Sequence, residues 1–362
     1  MPSEVAEKLS FRALTHEEVD KHIYDMFIRV IKDMVTKDQF SWKYFECAKD
    51  CQKDVWGAFV DDELAGATAT LTRPFFRKGE RVLLFQLYDS MIEDHHQRKG
   101  IYRKMCLHAF EEMKKLDGLF MFGFTNHKSS GALLGLEGAF NSGTSKIMVL
   151  PLGADYVSKR VLKRTIPIIT PIGSLGVKAF NILRGNYSGT DVEMKPVERF
   201  DAYTTELSQR NSLAYDFFPD RSPQFLNWKG IDLPPSFKEY VSSFWFYRGE
   251  KRIGYCILCN DFKNNRLKII DMVCETDTGV LEDCIKAVRT YARKNKYDVI
   301  MMIVAGKPYL DAFKRCGFFA AGSIRTTIVP VIGDLIVGAD KNDSAYYQSP
   351  IDRDNFTYLE MD

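Results

Sequence analysis

The sequence predicts an α/β (α+β) protein made of two copies of one unit, each a mixed, mostly antiparallel twisted sheet flanked by helices. Three observations carry this. An apolar strand at residues 82–88 runs through a glycine-containing turn into a helix with one apolar face. The same order of elements returns in the second half of the chain. The length, 362 residues, suits two domains better than one.

Thr15 and Glu18 form a capping box and open a helix carrying Val19, Ile23, Phe27, Val30 and Met34 along one side. Residues 55–60 and 64–71 read as a hairpin about Asp61-Asp62. The loop from Arg73 to Arg77 leads to the strand at 82–88. After the turn, Tyr102, Met105, Cys106, Ala109, Phe110, Met113 and Leu116 mark the buried face of a helix. A second apolar strand at 119–124, a short helix at 129–137 and Gly138-Ala139-Phe140 complete the first copy. The second copy has strands at 240–247, 252–260 and 266–274. A helix through Val280, Leu281, Cys284, Ile285, Val288 and Tyr291 follows, then a strand at 298–304, a short helix at 308–316 and Gly317-Phe318.

These patterns divide the chain into a first domain at 1–150, a linker at 151–198, a second domain at 199–340 and an acidic tail at 341–362. Residues 157–184 hold six basic and no acidic residues, with Pro167 and Pro171 interrupting any helix. They read as an interdomain linker rather than a membrane-surface helix. The tail is expected to act as a lid or a packing strand.

A formal net charge of +2 gives no strong attraction for nucleic acid or anionic membrane. No apolar run reaches transmembrane length, and residues 1–12 have no leader-like apolar core. The eight cysteines are scattered, and Cys256-x-x-Cys259 lacks a second ligand pair. The expectation is therefore a cytoplasmic protein with buried thiols and no metal. Oligomeric state is left open.

The chemistry concentrates at Ile92-Glu93-Asp94-His95-His96-Gln97-Arg98-Lys99-Gly100-Ile101-Tyr102. A turn between strand and helix leaves backbone N–H groups unpaired at the positive end of the helix dipole, a ready anion site. Neither G-x-x-x-x-G-K-[ST] nor G-x-G-x-x-G occurs in the chain. What stands here is Gln97-x-x-Gly100-x-Tyr102, which resembles the Q/R-x-x-G-x-G/A loop of the GCN5-related N-acetyltransferases (GNAT). The bulky Tyr102 departs from that pattern. The resemblance continues through the next strand, its terminal Asn126, the short helix and the Gly-Ala-Phe segment.

It implies two tandem GNAT-like domains and acyl-CoA as cosubstrate. The CoA pyrophosphate would lie against Ile92, Gln97, Arg98, Lys99, Gly100, Ile101 and Tyr102, with Asn126 on the pantetheine arm. At the corresponding place the second copy has Thr276-Asp277-Thr278-Gly279, whose acidic residue repels phosphate. Only the first copy is expected to bind CoA.

Acyl transfer to an amine needs a neutral amine and donors at the developing oxyanion. By resemblance, a splayed bulge in the strand before the turn supplies an N–H near Met91–Glu93. For the base, Asp94 stands next to the turn, where burial in a low-dielectric cleft would favour its protonated form. His96 is second, with the more suitable ordinary pKa. The family often places a tyrosine acid four residues before its Gly-Phe signature. Leu134 and Phe313 stand at those positions, so no acid is evident.

The tandem layout, with Asp220-x-x-x-x-Phe225-Leu226-x-Trp228-Lys229 introducing the second copy, resembles acyltransferases of bacterial surface-polysaccharide pathways. Among these is the N-acyltransferase of anthrose biosynthesis, which acts on a dTDP-linked amino deoxysugar. This implies a nucleotide-linked amino sugar as partner. Arg73, Arg77, Arg221 and Lys229 would pair the diphosphate, while Phe75, Trp228 or Trp245 would stack base or sugar. Core or solvated roles compete at each position. A peptide or other small-amine acetyltransferase and a non-catalytic CoA sensor are the alternatives. An aminoacyltransferase using charged tRNA would want a basic face, which +2 does not supply.

Overall fold

The computed structural model describes residues 8–32, 35–125, 131, 133–153, 189–330 and Asp352. Most of the expected linker (154–188), Asn126 and nearly all of the acidic tail lie outside them. Two compact units emerge, and each takes part of its chain from the far half of the sequence.

In the first unit, β1 (Leu9–Ala13) pairs antiparallel with β2 (Gln52–Val60). Between them the Thr15 capping box opens a helical turn at His16–Glu18. A π-helical turn at Val19–Ile23 leads into α1 (Tyr24–Ile31), and α2 (Lys37–Phe45) begins with a second capping box at Thr36 and Gln39. The expected hairpin is present: β2 pairs with β3 (Glu63–Arg77) around Asp61 (φ 48) and Asp62 (φ 68). Two left-handed residues are what a tight two-residue hairpin of the right twist requires.

β4 (Glu80–Ile92) lies beside β3, and α3 (Ile101–Lys114) returns the chain to β5 (Phe120–Thr125), which pairs parallel with β4. The periodic face read from the sequence is the buried one except at Leu116, which lies past the helix end and is exposed. Cys106, Phe110 and Met113 pack with Phe85, Leu87 and Met121, while Ile101 and Met105 pack with Ala58, Val60 and Ala65. Each Val, Leu, Ile, Phe or Met among them contributes about 1.5–3 kcal/mol on full burial. The far edge of β5 is covered by Arg325–Pro330, the end of the last strand, running antiparallel from Arg325↔Thr125 to Pro330↔Phe120.

The second unit repeats the plan. β6 (Phe140–Pro151), which closes the first copy in sequence, pairs here with β11 (Val299–Val304). The unit's remaining strands are β7 (Val192–Pro196), β8 (Val241–Arg248), β9 (Lys251–Asp261) and β10 (Arg266–Cys274). β10 pairs parallel with β11 across α6 (Thr278–Lys294), after α4 (Tyr203–Asn211) and α5 (Pro223–Gly230). α7 (Lys307–Arg315) then precedes β12 (Phe319–Pro330). Each copy thus gives its final strand, in whole or part, to the other unit's sheet.

Candidate active site

The ladder between β4 and β5 runs over three pairs, Phe85↔Met121, Gln86↔Phe122 and Leu87↔Gly123. β4 then continues five residues to Ile92 and β5 two residues to Thr125 without further pairing to each other. The two parallel strands therefore part, and the backbone of β4 facing the gap has no ladder partner there. Asp89 sits just beyond the parting point with φ 44, a left-handed residue that interrupts the pleat as a bulge does.

The strand ends at Ile92, and Asp94–His96 form a 3-10 turn. Glu93 N–H donates to Ala65 O of β3 at 3.0 Å, so the amide at the end of the anticipated Met91–Glu93 stretch is already used. The expected buried setting of Asp94 is also absent. It is exposed, and its Oδ1 accepts from Gln97 Nε2 at 2.8 Å. Gln97 Nε2 also donates to Ile92 O at 3.1 Å. That side chain turns back onto the strand end instead of adding a donor to the rim.

His96 is buried, and its Nδ1 has no hydrogen-bond partner among the described residues. Its ring lies 4.1 Å from that of the exposed His95. Glu93 is held by Arg29 of α1 at 2.6 Å.

Arg98 (φ 63) and Gly100 (φ 77) are both left-handed, which wraps the chain tightly before α3. Gly100 is the N-cap and brings no side chain to the helix end, so the N–H groups of the first turn, Ile101 to Arg103, have no capping side chain. Arg98 and Lys99 are exposed beside them. Tyr102 does not push the backbone aside, since α3 starts regularly at Ile101. Its ring packs between the two apolar clusters, and its hydroxyl lies within reach of the Ser90 and Cys106 side chains. Burial raises the phenol's pKa, keeping it protonated.

The second copy is filled where the first is open. Asp277 caps α6, its carboxylate accepting from Gly279 N–H (2.8 Å) and Val280 N–H (3.4 Å). Near the end of β10, Cys274 N–H donates to the Tyr309 hydroxyl at 3.1 Å. Arg221 is enclosed by Asp271 and Asp352.

This last fact corrects the acceptor assignment. Arg221 is fully buried in that carboxylate pair and is not open to a diphosphate. Arg73 is buried with its guanidinium 5.1 Å from the Phe75 ring, and Phe75 packs edge-on to Phe122. Trp228 is buried under Lys229 at 4.0 Å, and Trp245 is buried under Arg252 at 4.1 Å. All five side chains are buried. Asp89, Lys43, Tyr44 and Ser90 were not anticipated. The one signal for Asp89 was a charge inside an apolar strand.

Among the described residues no helix is long and apolar enough to cross a membrane. No curated protein matches the sequence. A protein from Anabaena variabilis described as a GCN5-related N-acetyltransferase is 13% identical with a TM-score of 0.65, over 92% of this chain and 75% of that one. Saccharomyces cerevisiae N-myristoyltransferase, solved with bound myristoyl-CoA, is 12% identical with a TM-score of 0.57, over 91% and 80%. A tandem GNAT protein from the clavulanic acid biosynthesis pathway is 12% identical with a TM-score of 0.52, over 90% and 99%. At such identities the likeness is one of fold, that of two GNAT-like domains in one chain. Residues 10–127 match the family described as acetyltransferase (GNAT) domain.

Proposed function

We propose that the protein transfers an acyl group from acyl-CoA to a primary amine, using the first unit alone for the thioester. The observation that carries this is the conjunction of an uncapped α3 N-terminus behind two left-handed residues with the parting of β4 from β5. The helix end suits a pyrophosphate, with Arg98 and Lys99 as flanking cations. The gap between the strands gives the pantetheine arm a slot whose wall carries unladdered backbone donors. Asn126 is the residue proposed to meet that arm.

The amine nitrogen attacks the thioester carbon, the C–S bond breaks, and CoA leaves as thiolate. Asp94, through a water, or His96 takes the proton from the incoming amine, and the thiolate recovers one from solvent. Asp94 is solvent-accessible, whereas His96 is buried with an unpartnered ring nitrogen. The nucleotide-linked amino sugar rests on sequence resemblance, and it remains the acceptor to try first.

The test is thiol release from acetyl-CoA and longer acyl-CoAs with a panel of dTDP- and UDP-amino sugars, peptides and small amines. Release dependent on one amine establishes the reaction and its acceptor. CoA binding without release to any amine favours a sensor, and no CoA binding overturns the reading.

A further inference from the structure

We propose that Lys43, Tyr44 and Tyr102 are positioning residues that clamp the β4 kink at Asp89–Ser90 from both faces of the sheet, aiming its backbone donors at the thioester carbonyl. The inference rests on the acyl-CoA reading and deepens it. On one face, Asp89 Oδ2 receives Lys43 Nζ at 2.5 Å and the Tyr44 hydroxyl at 2.9 Å, both from α2. Lys43 and Asp89 are buried, with side chains 2% and 6% exposed, and the ammonium sits among the rings of Phe27, Tyr44 and Tyr88. On the other face, Ser90 Oγ lies 2.7 Å from Thr68 Oγ1 of β3 and within reach of the Tyr102 hydroxyl from α3.

The arrangement has a physical reason. A non-glycine residue at φ 44 costs roughly 1–3 kcal/mol and persists where the surroundings over-determine it. β5 cannot supply that constraint, because its ladder with β4 stops at Leu87↔Gly123. Asp89 and Ser90 follow after Tyr88, so their polar side chains replace the missing ladder. The clamp also gives Tyr102 a use at a position where the loop pattern has a small residue. Its hydroxyl reaches the strand from the first turn of the helix proposed to hold the pyrophosphate. One side chain thus ties the phosphate end of the site to the carbonyl end.

The experiment compares the full-length protein with Tyr44→Phe, Tyr102→Phe and the charge-removing pair Lys43→Met/Asp89→Asn. Each Phe variant keeps its ring and loses one hydroxyl, so folding is preserved if the pair variant fails. Calorimetry gives the affinity for acetyl-CoA, and infrared difference spectroscopy gives the carbonyl stretch of bound acetyl-CoA carrying ¹³C at the carbonyl. In the wild type the stretch should move to lower frequency on binding. In the variants that displacement should shrink or vanish while the affinity stays within about threefold. A full displacement in both Phe variants, or loss of affinity in step with the displacement, overturns the clamp. Failure of the wild type to bind acetyl-CoA overturns instead the acyl-CoA reading on which it stands.

Discussion

Asp352 closes a bidentate pair on Arg221 across 131 positions of sequence, Oδ1 to Nη1 at 2.6 Å and Oδ2 to Nη2 at 2.7 Å. Asp271 holds the same guanidinium at 3.0 Å and accepts the Tyr255 hydroxyl at 2.7 Å. Burial alone would lower the arginine's pKa, but the two carboxylates more than reverse it, so the cation stays charged inside the unit. Removing one partner of a buried pair leaves an uncompensated charge, which costs about 3–5 kcal/mol. Asp352→Ala should therefore lower the urea midpoint markedly with little change in slope. Deleting residues 343–362 should cost as much, because Asp352 leaves with them. A midpoint within error of wild type would show that Asp352 does not anchor the tail.

The two helix ends make opposite predictions. At Gly100 an added Cβ would meet nothing within 4 Å, so the cost of Gly100→Ala comes from its φ of 77, about 1 kcal/mol. Gly100→Val adds branching to that strain and should reduce CoA affinity at least tenfold in calorimetry. Asp277→Ala removes an N-cap and should cost about 1 kcal/mol of stability while leaving CoA affinity unchanged. Both proteins should be checked for stoichiometry, expected at one CoA per chain. Two CoA per chain in the wild type would refute the proposal that only the first copy binds.

Much of this was legible in the sequence because it is local. The Thr15–Glu18 capping box, the Asp61-Asp62 turn and the Cys106–Phe110–Met113 face depend on residues close together in the chain, and each stands where its pattern placed it. The exchange of final strands was not legible. Phe140–Pro151 carries no mark of whether its partner is in its own copy, since pairing is chosen by the tertiary neighbour. The acceptor residues failed for a related reason. Arg221 reads as a surface cation until Asp352 is brought to it, and a tryptophan reads alike as a stacking platform or a wall of the core. Asp89 was not legible because its partner, Lys43, is distant in sequence and is brought to β4 only by the fold.

The thiols give a check independent of catalysis. All eight cysteines are free, six of them buried, with Cys47 and Cys51 half-buried. Burial pushes the Cys51 thiol up to about 12, and Cys106 likewise. Little reactive thiolate forms at these two positions at pH 8. Native protein should react slowly with Ellman's reagent and release eight equivalents once unfolded in guanidinium without reductant. Fewer than eight would mean a disulfide that the fold does not contain.

The proton acceptor can be assigned by comparing Asp94→Asn with His96→Gln. Asp94 is exposed and bonded to Gln97, so Asp94→Asn keeps the turn and changes only the charge. If Asp94 relays the amine's proton through water, kcat should fall about 10²-fold or more at neutral pH, the usual scale for a general base. The KM for acyl-CoA should hold, and the loss should ease as pH rises and the amine deprotonates unaided. His96→Gln removes a buried ring in contact with His95, so its stability must be measured alongside. A full rate in Asp94→Asn together with a loss in His96→Gln that follows the acidic limb of the pH profile would move the role to His96. Full rates in both would leave the amine to lose its proton to solvent before it binds.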